Sequence, residues 1–300
     1  MLNYILAAVA TALPAIGVAI GQSKANKSAS NAIAIQPSCT QDISRALLLG
    51  LAVAETSAII GLVIALTVIK SSMSLLAAIS IMLISALSLV IGFSSAAPIS
   101  ATCMALARQP FVQNNIVNTM LLGLSFIQTP IIFGFVLTLI ITNQVNYDIA
   151  NGLRLIGASM ALAAGSIGSV ISMGEFSAKV CSMIGYNRHA FKKLFNFALV
   201  SQAMIETPIL LSLVVGLIII SMQSNSLWHG LTLLAAGMCT GISSIAPGLG
   251  SGRTAAASAE EIGKNPDLHS ALARTTIFAQ AFLDTFVIYG LIISLLIIIK

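Results

Sequence analysis

Three carboxylic acids, Glu55, Glu206 and Asp284, lie inside long apolar runs of the sequence. The run from Thr276 to Ile299 is long enough to span a bilayer as one helix, and Asp284 sits near its middle. An ionisable group at that depth costs roughly 2.5–3.5 kcal/mol on insertion scales, so it is functional by default. The bland alternative is a buried acid that stays protonated or hydrogen-bonded to a neighbouring helix. Repetition argues against that alternative. Four polar loops carry Ile35-Gln36-Pro37, Arg108-Gln109-Pro110, Tyr186-Asn187-Arg188 and Lys264-Asn265-Pro266. Counting 19 residues on from each central amide gives Glu55, Gln128, Glu206 and Asp284, and a threonine follows each time: Thr56, Thr129, Thr207 and Thr285. A carboxyl repeated in this way is suited to loading and releasing a cation. Gln128 is isosteric with glutamate but cannot ionise, so its site is expected to be silent.

The elements that must position these acids follow from composition. The chain has 300 residues, 57% of them hydrophobic and only 8% charged, which marks a polytopic membrane protein. Apolar spans fall at about 2–21, 46–69, 74–97, 117–142, 153–173, 195–222, 228–250 and 273–299. The expected fold is an all-α membrane protein, with eight transmembrane helices arranged as four tandem helical hairpins at 1–72, 73–147, 148–224 and 225–300. Short polar turns join them at Lys70-Ser71-Ser72-Met73, at 143–148 and at 223–226. The N-terminus starts within an apolar run without a basic segment, which reads as a retained first helix.

Of the 14 basic residues, all but Lys70, Arg154 and Lys300 lie in or beside the four longer loops. The positive-inside rule then places those loops in the cytoplasm and both termini outside. A net charge of +5 is too small to indicate nucleic acid. Cys39, Cys103, Cys181 and Cys239 are widely separated and read as small packing residues. His189, His229 and His269 are scattered, so no metal cluster is expected. Trp228 reads as an interfacial anchor. Glu175, Glu260 and Glu261 read as solvated, and Gln202 and Gln280, one turn before their acids, as hydrogen-bond partners of them.

The first helix of each hairpin is rich in small residues, such as Gly17 and Gly21, Gly157, Gly165 and Gly168, and Gly237, Gly241, Gly248, Gly250 and Gly252. The second helices are rich in Leu and Ile. Small residues let helix backbones approach in lipid. Thin first helices beside bulky second helices make wedges, which close into a ring with the thin sides inward.

At this point the chain resembles the proteolipid c subunit of F-type ATP synthases, as four fused copies covering nearly its whole length. The fourth copy carries Ile245-Ala246-Pro247-Gly248-Leu249-Gly250-Ser251-Gly252, then Glu261-Ile262-Gly263-Lys264-Asn265-Pro266, then Ala281-Phe282-Leu283-Asp284-Thr285. The resemblance implies a non-catalytic, ion-translocating part of a rotor ring, built with other copies of the chain and contacting lipid. Its ring would slide past subunit a and dock on the central stalk subunits gamma and epsilon through the loops. Gln36, Arg108, Gln109, Asn187, Lys264 and Asn265 would make that stalk contact. Glu55, Glu206 and Asp284 would carry the ion with no cofactor.

Sodium-using relatives build an oxygen cage from a glutamine on the first helix, a Ser or Thr after the acid and a tyrosine five residues beyond it. Here the first-helix position holds Gln22, Ser95, Met173 and Ser251, and the later position holds Ile60, Phe133, Leu211 and Tyr289. The supporting residues in this resemblance are Gln22, Thr56, Thr207, Ser251, Thr285 and Tyr289. No single hairpin holds the whole cage, although sites between adjacent hairpins can mix their ligands. Protons are the expected ion, because hard cations want several oxygens; sodium is the alternative. A proteolipid of a vacuolar or archaeal-type ATPase is a second alternative. A repeat-built secondary transporter is a third, supported mildly by Pro130 and Pro208.

Overall fold

A computed structural model describes residues 2–71, 73–144, 148–224 and 226–300. The turn positions expected at Ser72, at 145–147 and at Asn225 lie outside the described residues, as does Met1. Among the described residues the chain is helical throughout: α1 (Leu2–Ile35), α2 (Thr40–Ala54), α3 (Thr56–Lys70), α4 (Leu75–Arg108), α5 (Gln113–Thr142), α6 (Ile149–Tyr186), α7 (Phe191–Ser221), α8 (Leu227–Lys264) and α9 (His269–Ile299). Eight helical stretches among these residues are long and apolar enough to cross a membrane, with α2 and α3 forming one of them. The all-α membrane fold expected from the sequence is therefore what the chain adopts. Helix is the form that satisfies every backbone group without water.

The helices run well past the apolar spans. The segment from Gln22 to Ile35 is polar and alanine-rich, yet it continues α1. A helix of 34 residues is about 51 Å long, against a hydrocarbon core of about 30 Å, so the hairpin tips project into water. At each tip the central amide leaves the helical region in the same way. Gln36 has φ −136° and ψ 79°, Gln109 −139° and 78°, Asn187 −135° and 99°, and Asn265 −134° and 91°. A following proline forces this at three of them, since it excludes the α conformation from the residue before it. Arg188 stands where the others have proline, and Asn187 compensates by accepting a hydrogen bond from the His189 N–H at 3.1 Å. Asn265 repeats that cap on Asp267 at 3.2 Å.

The helices form two layers. The first helices make an inner row in the order α1, α4, α6, α8, and the second helices make an outer row of α2–α3, α5, α7 and α9. Glycine explains the closeness of the inner row. A Cβ on Gly157 would lie 2.7 Å from the carbonyl oxygen of Leu233, and one on Gly241 would lie 2.7 Å from that of Met160. Side chains at Gly17, Gly168 or Gly237 would run into the carbonyls of Leu89, Ile245 and Gly157. Three of the outer helices rest on their own inner helix and on the inner helix of the next unit, as α5 does on α6 and α7 on α8. This staggering places α4, α6 and α8 each beneath two outer helices.

Away from the loops, Arg154 of α6 is buried and donates to the carbonyls of Ile220, at 2.9 Å, and Met222. Those are orphan carbonyls at the end of α7, so this cation caps a helix C-terminus. Trp228, 77% exposed, stands at the start of α8 as expected of an interfacial anchor.

Candidate ion-binding site

The four register-equivalent positions sit on the outer helices, about 28 Å along the axis from their loop amides at 1.5 Å per residue. Around them the four sites differ. At the first, Gln22 Nε2 of α1 donates to Glu55 Oε1 at 2.8 Å, and Glu55 is exposed. The helix runs on through this residue from α2 into α3: Glu55 N–H donates to the Leu51 carbonyl at 2.9 Å, and the Glu55 carbonyl accepts from Ala58 at 2.9 Å and Ile59 at 3.0 Å, a local tightening of the turn.

At the second site the roles are exchanged. Gln128 is buried at 4% exposure, and its Nε2 donates to Ser95 Oγ of α4 at 3.3 Å. Its Oε1 has no partner. At the third, Glu206 is half-buried and lies beside Thr129 of the preceding outer helix α5, whose hydroxyl donates to the Ser125 carbonyl at 3.2 Å. The first-helix position here is Met173, fully buried, which brings a thioether in place of an oxygen. At the fourth, Asp284 is 6% exposed and lies beside Thr207 of the preceding outer helix α7. Asp284 Oδ1 is buried and unpartnered, so this carboxyl has room for a proton on one oxygen.

The threonine beside each of these two acids therefore comes from the unit before it. In the sequence Thr129 stands only as the neighbour of Gln128. Thr285, beside Asp284 in sequence, donates instead to the Phe282 carbonyl at 2.6 Å. Tyr289 is 60% exposed and stacks edge-on against Phe286, with ring centroids 6.1 Å apart.

Gln202 and Gln280 do not bond their acids. Gln202 Nε2 donates to Ser177 Oγ at 2.6 Å and Gln280 Nε2 to Ser251 Oγ at 3.1 Å, so these amides tie outer helices to inner ones. One turn separates them from the acids along the helix, but the serines on the inner row offer acceptors that the sequence spacing did not reveal. Ser251 is thereby buried as the acceptor of Gln280 rather than as a contact of Asp284.

The expected loop contacts are at the projecting tips. Gln36 donates to Ser38 Oγ at 3.1 Å, and Arg108 is exposed. Gln109 ends α4, and Asn187 Nδ2 reaches across to the Gly263 carbonyl at 3.0 Å. Lys264 pairs with Glu260 at 3.1 Å and Glu261 at 2.8 Å. Glu260 also meets Lys179 at 2.8 Å, and Glu175 meets Arg253 at 3.3 Å, so the acids read as solvated are ion-paired as well. Such exposed pairs contribute little stability.

The sequence pattern of the ATP synthase C-subunit family matches residues 5–68, 156–219 and 234–297. Each matched segment contains one of the three acids. Similar proteins include the chloroplastic ATP synthase c subunit of Emiliania huxleyi, 34% identical over 71 residues, which are 24% of this chain and 87% of that protein. The chloroplastic c subunit of Porphyra purpurea is 32% identical over the same length, again 24% of this chain and 87% of that protein.

Proposed function

The chain belongs to the ATP synthase C-subunit family, and on that premise we propose that it is the rotor proteolipid of an F-type ATP synthase. It would carry protons on Glu55, Glu206 and Asp284, with Gln128 silent, as four hairpins at 1–72, 73–147, 148–224 and 225–300. A membrane rotor role follows from the family. The F-type assignment is supported by the Arg108-Gln109-Pro110 and Lys264-Asn265-Pro266 tips and by the names of the similar proteins.

The observation that carries the proton reading is the poverty of ligands around the buried acids. Asp284 has a threonine beside it and an unpartnered oxygen; Glu206 has a threonine beside it, and its inner-helix register position is the buried Met173. A proton needs one carboxyl oxygen, whereas a sodium ion needs several oxygens to replace its water. The first site is better furnished, because Gln22 there adds an amide.

Protonated, the carboxyl is neutral and tolerates lipid; beside a fixed cation on subunit a it ionises and releases the proton. Rotation of the ring would couple that exchange to the stalk, docked on cytoplasmic tips bearing Gln36, Arg108, Gln109, Asn187, Lys264 and Asn265, with both termini on the outer side of the cell membrane. A carbodiimide attacks only a protonated carboxyl in an apolar site. It is expected to label Glu55, Glu206 and Asp284 at low pH, less as pH rises, with no protection by sodium at Glu206 or Asp284. Absence of label at all three overturns the carrier reading, and sodium protection at Glu206 or Asp284 overturns the choice of ion.

A further inference from the structure

Gln202 and Gln280 use only half of their amides in tying the outer helices to the inner ones. Both side chains are buried, and their Nε2 groups are engaged, with Ser177 Oγ at 2.6 Å and Ser251 Oγ at 3.1 Å. Their Oε1 atoms are buried as well, yet neither has a partner among the described residues. A buried acceptor in that state calls for a reason. Two of them in one register, each 15 residues beyond its loop amide, call for a shared reason.

The amide of Gln280 cannot be turned to relieve its orphan. Its Nε2 donates to the carbonyls of Ser251 and Ser201, both at 3.4 Å, as well as to the Ser251 hydroxyl. Exchanging the two ends of the amide would press Oε1 against two carbonyl oxygens. Asp284 follows four residues on, on the same face of α9, where Cβ atoms lie about 5–6 Å apart. Its Oδ1 is buried and unpartnered too. An amide oxygen and a carboxylate oxygen both accept, so in the ionised state neither can serve the other. One proton added to Oδ1 makes it a donor and pairs both orphans at once.

The repeat shows where such an acceptor is wanted. The register position of Gln202 and Gln280 holds Leu51 in the first unit and Leu124 in the second. In the second unit there is no acid, since Gln128 stands in its place. In the first, the amide beside the acid comes from the inner helix and points the other way: Gln22 Nε2 donates to Glu55 Oε1 at 2.8 Å. A donor serves the ionised carboxylate, and an acceptor serves the protonated acid alone.

We infer that Gln280 Oε1 accepts the hydrogen bond of protonated Asp284, and Gln202 Oε1 that of protonated Glu206. Each glutamine is a positioning residue, clamped by its serine, that holds the acid's proton in place and keeps its own orientation when the proton leaves. The chain then carries two kinds of site, with Glu55 steadied in its ionised form and Glu206 and Asp284 in their protonated form. This rests on the carrier reading and adds to it the groups that hold the proton.

Infrared difference spectra of the detergent-purified ring, acid minus alkaline, test it. The protonated-carboxyl band of Asp284 is the one that disappears in Asp284→Asn. In Gln280→Leu that band is expected to move to higher frequency, toward that of an acid without a hydrogen-bond partner, and in Gln202→Leu it should stay. Leucine is tolerated at this register in two of the four units, so the variant is expected to assemble. Ser251→Ala, which loosens the tie but keeps Oε1, should leave the band in place. Carbodiimide labelling of Asp284 at neutral pH should fall several-fold in Gln280→Leu with Glu206 unchanged, and Gln202→Leu should do the reverse. A band unmoved in Gln280→Leu, or moved as far in Ser251→Ala, overturns the inference. If no carboxyl band disappears in Asp284→Asn, it is the carrier reading at that site that has failed, and the inference with it.

Discussion

The sites of Gln128 and Asp284 occupy the same place in two units and are buried almost equally, yet only one can hold an exchangeable proton. Gln128 has its amide committed to Ser95 at 3.3 Å. Asp284 faces Thr207 and keeps a bare oxygen. The surroundings are alike: an inner-row serine at the same register, Ser95 or Ser251, and a threonine following the central residue. The scaffold therefore does not distinguish carrier from spacer. On the proposed rotor reading, one side-chain group, NH2 in place of OH, decides which sites count, and a chain of repeated hairpins would let that choice differ from one hairpin to the next.

The largest effect comes from removing the difference in one direction. Glu55→Gln, Glu206→Gln and Asp284→Asn together make every site resemble that of Gln128. ATP-driven proton uptake into vesicles should fall to background, with no carbodiimide label anywhere, while the ring still assembles. Residual coupled transport would mean that the ions use another route.

Removing it in the other direction gives the next largest effect. In Gln128→Glu the Ser95 hydroxyl can turn from acceptor to donor, so the buried carboxyl is accommodated as its protonated form. A fourth labelled residue should appear, and protons moved per ATP should rise in the ratio four to three if every carboxyl counts once per turn. Each charge moved works against about 2.3 kcal/mol per 100 mV, so the limiting gradient of a hydrolysing ring should fall correspondingly. Labelling without a change in stoichiometry would break the equivalence of the sites at the stator.

Much of this was legible in the sequence, because the repeat is strict where the chemistry is strict. The eight apolar spans identify the fold, and the offset of 19 residues from loop amide to acid picks out the proposed carriers. The neighbours of the carriers were harder to read, since a hairpin repeat does not say which adjacent hairpin a side chain faces. Thr129 and Thr207 lie beside acids of the following unit, with α5 packed on α7 and α7 on α9. Gln202 and Gln280 reach inner-row serines, which helical spacing alone cannot show. The tips hid their helical length, because polar, alanine-rich segments such as 22–35 score poorly as spans while remaining good helix formers.

The smallest expected effect concerns stability rather than transport, and it uses the serine common to both sites. Ser95→Ala removes the only hydrogen-bond partner found for Gln128 Nε2 among the described residues, and Gln128 Oε1 is already unpartnered, so a whole amide would be left buried without compensation. Such a loss costs about 1–3 kcal/mol. Ser251→Ala at the Asp284 site removes only one of three acceptors of Gln280 Nε2, which keeps the carbonyls of Ser251 and Ser201, both at 3.4 Å. Its cost should be closer to a single net hydrogen bond, about 0.5–1.5 kcal/mol. Thermal dissociation of the purified ring should therefore begin at a lower temperature in Ser95→Ala than in Ser251→Ala, with the number of protons per ATP unchanged in both. Equal loss from the two variants would show that the Ser95 bond is worth no more to Gln128 than the Ser251 bond is to Gln280, so that the buried amide of Gln128 finds compensation elsewhere when Ser95 is removed.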